Sequence, residues 1–275
     1  MNTLSLWWVF LKQQLKELIE YKQDFLMGMV SVLFQQVGLF LVTVVVFTQL
    51  KELGGFSINE MFLLYGFYTL VRGIDHFYND NIWSFAWNKV KDGRFITILL
   101  RPINPILHVV IERFNMSGLS EILVGILIII YSKIKIGFSL NITQWLILLV
   151  ILLCGVSVYF SVKLLFSAPA FWTICCGEFM TAGYEISNSA KYPVGIYKNK
   201  IIKSVLLYVL PFPITAYLPT VYCLDKVDNL REIFGMSSIS INSMIIYCVL
   251  ISLILLFIAI KVWNLGLKRY EPTGT

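Results

Sequence analysis

The chain has 275 residues, 58% of them hydrophobic and only 14% charged, whereas a soluble domain is about 45–50% apolar and about 25% charged; a water-soluble globule and a disordered chain are both excluded. A mean hydropathy of +0.77 and an aromatic share of 15% describe an integral membrane protein. The net charge of +6 then fits a basic cytoplasmic rim better than a nucleic-acid surface, so no nucleic-acid partner is expected.

Residues 1–24 place Leu4, Trp7, Trp8, Leu11, Leu15, Leu18 and Ile19 three and four apart, with Lys and Glu between them. That spacing predicts an amphipathic helix lying in the headgroup plane. The remainder, 25–275, reads as one six-span domain. A span needs about 20 apolar residues, and 25–47 supplies the first, with Gln35 and Gln36 as uncharged interruptions. Ser57 and Glu60 form a capping box that opens a second span over 60–79. Arg72, Asp75 and His76 fall in its last third, and Arg72 and Asp75, three apart, are expected to pair locally.

Between spans two and three, Ile82, Phe85, Ala86 and Val90 make an apolar stripe while Lys89, Lys91 and Asp92 face elsewhere. Gly93 breaks this helix. Phe95 to Leu100 forms a second apolar patch, ended by Arg101-Pro102 and Asn104-Pro105 because the residue before a proline avoids the helical region.

The third span is expected at 113–131 and contains Glu121. A carboxylate at bilayer depth costs about 2.5–3.5 kcal/mol on insertion scales. Glu121 therefore lines a cavity, where it meets substrate or a partner arginine, or belongs to a structural ion pair, or lies in a span that starts later. The fourth span is expected at 145–166. Residues 167–200 read as a helix near the cytoplasmic interface. The fifth span, 201–222, contains Pro211, Pro213 and Pro219, which imply a bent or re-entrant segment lining a cavity; Tyr208, Tyr217 and Tyr222 would wall it. The sixth is expected at 244–263.

Six spans put both termini on one side. Lys51, Lys133, Lys135, Lys226 and Arg231 fall opposite, and the rest of the 22 Lys and Arg lie with the termini, which are therefore cytoplasmic. Cys154, Cys175, Cys176 and Cys248 sit in apolar or helical stretches without zinc-ligand spacing and read as buried hydrophobes, so no metal is expected. There is no GxxxxGK[ST], GxSxG or HExxH motif, and His76 and His108 read as structural. The chain is no enzyme and binds no cofactor of its own. Its loops are too short for an ATP-hydrolysing domain of about 200 residues, so an ATP-driven process would need a separate chain.

Three stretches together resemble a known family. Val90-Lys-Asp-Gly-Arg-Phe-Ile-Thr-Ile-Leu-Leu-Arg101-Pro102-Ile-Asn-Pro105 is similar to a (R/K)xGxhxxhLhRPhxP segment, where h is apolar. Ala190-Lys-Tyr-Pro193-Val-Gly-Ile-Tyr197, with Leu210-Pro211 and Tyr217-Leu-Pro219, is similar to YPxxhY…hP…YhP. Trp263-Asn-Leu-Gly266-Leu-Lys-Arg269-Tyr270 looks like a closing WxxGLRRY. In this order they resemble the membrane subunit of type-2 ABC exporters; Phe95 departs from the small acidic or apolar pair frequent there.

The resemblance implies a permease in a bacterial plasma membrane. It would pair with a second six-span subunit, identical or related, and with cytosolic ATPase subunits that hold ATP and Mg. It also implies a coupling helix within about 82–105. The residues expected to couple to the ATPase are Phe85, Trp87, Lys91, Gly93, Arg94, Phe95, Arg101 and Pro102. The expected substrate path uses Glu121, Tyr208, Pro211, Pro213, Tyr217 and Pro219, for a lipid, peptide or drug. An ion-coupled secondary transporter and a non-transporting membrane scaffold are the alternatives.

Overall fold

The computed structural model describes residues 22–173, 176–236 and 238–271 throughout, and Trp8, Lys12, Gln13, Lys16, Ile19 and Glu20 singly. The amphipathic helix expected over 1–24 thus lies almost wholly outside the described residues. Among the described residues the regular structure is helical, joined by turns and loops, with one isolated bridge between Leu53 and Phe56. In chain order the long helices are α1 (Lys22–Gln49), α2 (Ile58–Asn79), α6 (Ser117–Ile136), α7 (Ile142–Ser167) and α13 (Ile241–Leu267). Three helical stretches, Leu26–Gln49, Ile142–Thr173 and Ile241–Leu267, are long and apolar enough to cross a membrane.

Between α2 and α6 lie α3 (Asn81–Ser84), a π-helical turn over Phe85–Lys89, α4 (Ile96–Leu99) and α5 (Pro105–Ile111). After α7 come α8 (Ala170–Thr173), α9 (Gly177–Ser187), α10 (Lys200–Ser204), α11 (Tyr217–Leu224) and α12 (Val227–Phe234). Local chemistry sets several starts. Glu60 accepts from the Ser57 amide at 2.7 Å, closing the expected capping box of α2. Asn115 accepts from the Ser117 amide at 3.1 Å, so α6 begins at Ser117 and not near 113. Glu121 therefore sits in its second turn.

The α2–α6 pair is packed backbone to backbone. Gly66 and Gly73 on α2 meet Gly125 and Gly118 on antiparallel α6, seven residues apart on each helix. A Cβ on Gly118 would lie 2.5 Å from the Phe77 amide nitrogen, and one on Gly125 2.6 Å from that of Leu70. Small residues at such crossings let van der Waals contact replace the hydrophobic drive that lipid does not supply. α7 packs on α13 beside this pair. α1 lies at the edge, stacking Phe40 on Phe62 at 4.5 Å, with Met27, Phe34 and Val42 exposed.

Two ends of the bundle can be told apart by contacts. One carries the 80–116 segment. The other carries Gly54 and Gly55, held by Lys226, whose Nζ donates to the Gly55 carbonyl at 2.7 Å and to Glu60 at 2.8 Å. Residues 177–197 run from the first end to the second. Gly177 lies against Trp87, Gly183 against Phe166, and Gly54 against Pro193. Between these contacts Tyr184 meets Arg72 and Asn188 meets Tyr68.

This corrects the reading of 167–200 as an interfacial helix. The polar residues of the segment mark partners inside the bundle. Lys191 and Lys198 consequently belong to the Gly54 end, not to the end that carries 80–116.

The expected fifth span at 201–222 is replaced by a hairpin. α10 and a π-helical turn (Val205–Val209) descend, and the Tyr247 hydroxyl donates to the Leu207 carbonyl. At the tip, Thr215 packs against Gly155 in mid-bundle. α11 then returns to the Gly54 end, with Tyr217 edge-on to Phe56 at 5.5 Å. Pro211 breaks the descent, as a proline without an N–H must. Pro219 falls in the first turn of α11, where its missing N–H costs nothing.

Candidate functional site

The 80–116 segment is built in two layers. Its stripe of Ile82, Phe85, Ala86 and Val90 is buried, as its spacing predicts. Gly93 turns the chain at φ 68°, a conformation that favours glycine. Asn104 caps α5 by accepting from the Ile106 amide at 3.0 Å. Of the residues expected to couple to an ATPase, Trp87, Lys91, Arg94, Arg101 and Pro102 are exposed and Gly93 is half-buried. Phe85 and Phe95 are 0% exposed. They are corrected from exposed contact candidates to a buried floor beneath the exposed residues, because their rings pack on Phe171 and Trp263.

Polar pairs brace the outer layer. Lys89 is paired with Glu112, which also accepts from Asn81 at 3.2 Å. Burial alone would raise the Glu112 carboxyl, but the hydrogen bond and charge of Lys89 outweigh it and hold it below the usual carboxylate range. Arg101 and His108 Nε2 are 2.6 Å apart. Arginine can only donate, so Nε2 accepts and the imidazole is neutral. Burial and the Arg101 charge hold His108 below its ordinary 6.5.

A pH effect follows from His108. Below its ordinary value the unfolded chain takes up a proton that the folded segment refuses. The stability from His108 is complete above about pH 6.5 and is lost as pH falls below it, by at most about 1.4 kcal/mol per pH unit. Intrinsic-rate-corrected amide exchange over 96–111 is expected to rise on acidification below this value. In His108→Gln, which keeps an acceptor for Arg101 but cannot titrate, that rise should vanish. Equal acid sensitivity of both proteins would refute it.

Above this segment lies a buried ion cluster. Arg72 donates to Tyr68 at 3.0 Å and Tyr184 at 2.8 Å, and its Nε is 3.6 Å from Glu121. His76 Nδ1 is 3.2 Å from Glu121. Lys163 of α7 is 2.7 Å from Asp75 and 3.0 Å from Asp80. Asn79 donates to Asp75 and Asn115 to Asp80.

Arg72 and Asp75 do not pair with each other as their spacing suggests. Arg72 turns towards α6 and α9, while Asp75 turns towards α7. Glu121 stands in an ion pair with Arg72, in a helix that starts later than expected. Lys163 lies inside an apolar run; a lone cation in a span, with acids at the end of another, is the sequence signal for such a bridge.

A pocket opens beside the cluster, lined by Arg72, Asp75, His76 and Lys163 and walled by Trp83, Tyr159, Phe166, Met180, Tyr184 and Phe212. The residues expected along a substrate path do not line this pocket. Pro211, Pro213, Tyr217 and Pro219 are packed in the core, and Tyr208 is exposed. Among the described residues, no group of three or more His, Cys, Asp and Glu is placed to hold a metal ion.

Residues 33–274 match the family model described as ABC-2 family transporter protein. No curated protein and no solved structure matches the chain significantly.

Proposed function

We propose, from the premise that the chain belongs to the ABC-2 family of transporters, that it is the permease subunit of an ATP-driven exporter. It would pair with a second permease subunit, identical or related, through outward apolar helix faces that otherwise meet lipid. Cytosolic ATPase subunits holding ATP and Mg would dock below. The six crossings would be α1, α2, α6, α7, the 177–197 segment and α13, with 200–224 re-entrant from outside and both termini in the cytoplasm of a bacterial cell.

The observation that carries the reading is the exposed surface of Trp87, Lys91, Arg94 and Arg101 on a segment with a buried aromatic floor. An exposed aromatic among cations on a rigid base is what a partner's pocket recognises. ATP-driven closure of the ATPases would push on this surface and shift the helices between two states. The cargo is an amphipathic molecule: a lipid, peptide or drug.

The test is purification of the intact complex. An ATPase is expected to co-purify, with vanadate-sensitive hydrolysis. Trp87→Ala combined with Arg94→Ala should weaken ATPase capture by about tenfold or more at unchanged membrane level. Capture that survives this double change would remove the surface from the reading. The buried His76–Glu121–Arg72 cluster favours a second reading, an ion-coupled transporter. Transport that resists vanadate and collapses with the proton gradient would establish it instead.

A further inference from the structure

The closing motif, Trp263 to Tyr270, finds its place against the 80–116 segment. Trp263 of α13 lies 4.5 Å from Phe85 and 4.9 Å from Phe171, centroid to centroid. Phe95 lies 5.0 Å from Phe85 and 5.1 Å from Tyr270. Trp263, Phe85 and Phe95 are each 0% exposed. Gly266, one turn beyond Trp263, lets the stack sit on the helix itself, since a Cβ there would be 2.5 Å from Phe171 Cδ2.

Close-packed interlocking rings have few alternative arrangements and shift as a unit instead of deforming. The segment also runs on from α2 through Asp80, whose backbone keeps helical angles (φ −69°, ψ −22°), so the rings are what ties it to the far helix, α13. A push on the exposed face would therefore be carried through the rings into the end of α13, and through its packing on α7 into that half of the bundle.

Resting on the permease reading above, we propose that Trp263 and Tyr270 are positioning residues that key the ATPase-docking segment to α13 and deliver its movement there. They touch neither the ATPase nor the cargo. Their loss should uncouple the machine without detaching its motor. This differs from what loss of the docking surface predicts, where capture itself fails.

The experiment uses the full chain in complex with its ATPase, reconstituted in liposomes, with Trp263→Leu, Tyr270→Leu and Trp263→Phe. In the two leucine variants the ATPase is expected to co-purify at parental stoichiometry and hydrolyse ATP at the parental basal rate, while cargo moved per ATP falls about tenfold. Trp263→Phe, which keeps a ring in the stack, should restore most of that loss. Should Trp263→Leu fail to fold, Tyr270→Leu carries the test, because Tyr270 sits at the partly exposed edge.

Leucine variants that transport at parental efficiency would overturn the proposal. So would joint loss of capture, hydrolysis and transport, because the rings would then only scaffold the docking face. A parental chain that captures no ATPase would overturn the permease reading itself, an outcome distinct from either.

Discussion

Gly118→Leu should leave no folded protein. The position of a Cβ on Gly118 is 2.5 Å from the Phe77 nitrogen, 2.7 Å from the Gly73 carbonyl oxygen and 2.8 Å from the Phe77 Cα. All three are backbone atoms, so no rotamer change relieves the contact and the two helices must part. Gly118→Ala is expected to cost about 1–3 kcal/mol, the range for overpacking. Leucine should exceed about 4 kcal/mol, a size reached only by such named defects. The measurement is the monodisperse fraction after detergent extraction. Gly38→Leu is the control, because a Cβ there meets nothing within 4 Å. Equal monodisperse yields for the two leucine variants would show that α2 and α6 are not packed backbone to backbone.

Lys163→Met should be nearly as severe, for a different reason. Asp75 is 0% exposed and Lys163 only 9%. Removing the cation leaves Asp75 as an uncompensated buried charge and takes its partner from half-buried Asp80, which costs about 3–5 kcal/mol. Methionine keeps most of the volume of the stem, so a cavity does not explain the loss. Adding Asp75→Asn to Lys163→Met removes one orphaned charge and should recover a large part of the stability. Thermal midpoints of the parent, both single variants and the double variant complete a cycle that isolates the pair. Strict additivity would mean that α2 and α7 are not joined through this bridge.

Much of the helical frame could be read from residue order. The extents expected at 25–47, 60–79, 145–166 and 244–263 fall within α1, α2, α7 and α13. Long apolar runs and local caps such as Ser57–Glu60 carry their signal within one element. The stripe through Phe85 and Val90 was legible for the same reason.

What could not be read depends on partners distant in sequence. Lys163 is satisfied by residues more than 80 positions away, so nothing beside it announces a bridge. Gly66 and Gly73, like Gly118 and Gly125, share a spacing of seven, but only their juxtaposition gives it meaning. The 177–197 stretch looks interfacial because Tyr184, Asn188 and Ser187 are polar; Arg72 and Tyr68, which donate to Tyr184 and Asn188 inside the bundle, are over 100 positions back.

That last segment has a consequence for how the protein is made. In the proposed six-crossing arrangement, 177–197 leaves the ribosome with Glu185, Asn188, Ser189 and Lys191 in its middle. A translocon partitions helices by their own affinity for hydrocarbon, and charged residues near a helix centre cost it about 2.5–3.5 kcal/mol each. This stretch would not enter lipid alone. It can be threaded only against α2 and α7 that are already in place, with Arg72 and Tyr68 waiting. Insertion and assembly of the fifth crossing are then one event, and the last crossing, α13, must wait for it before its own start can reach the outer face.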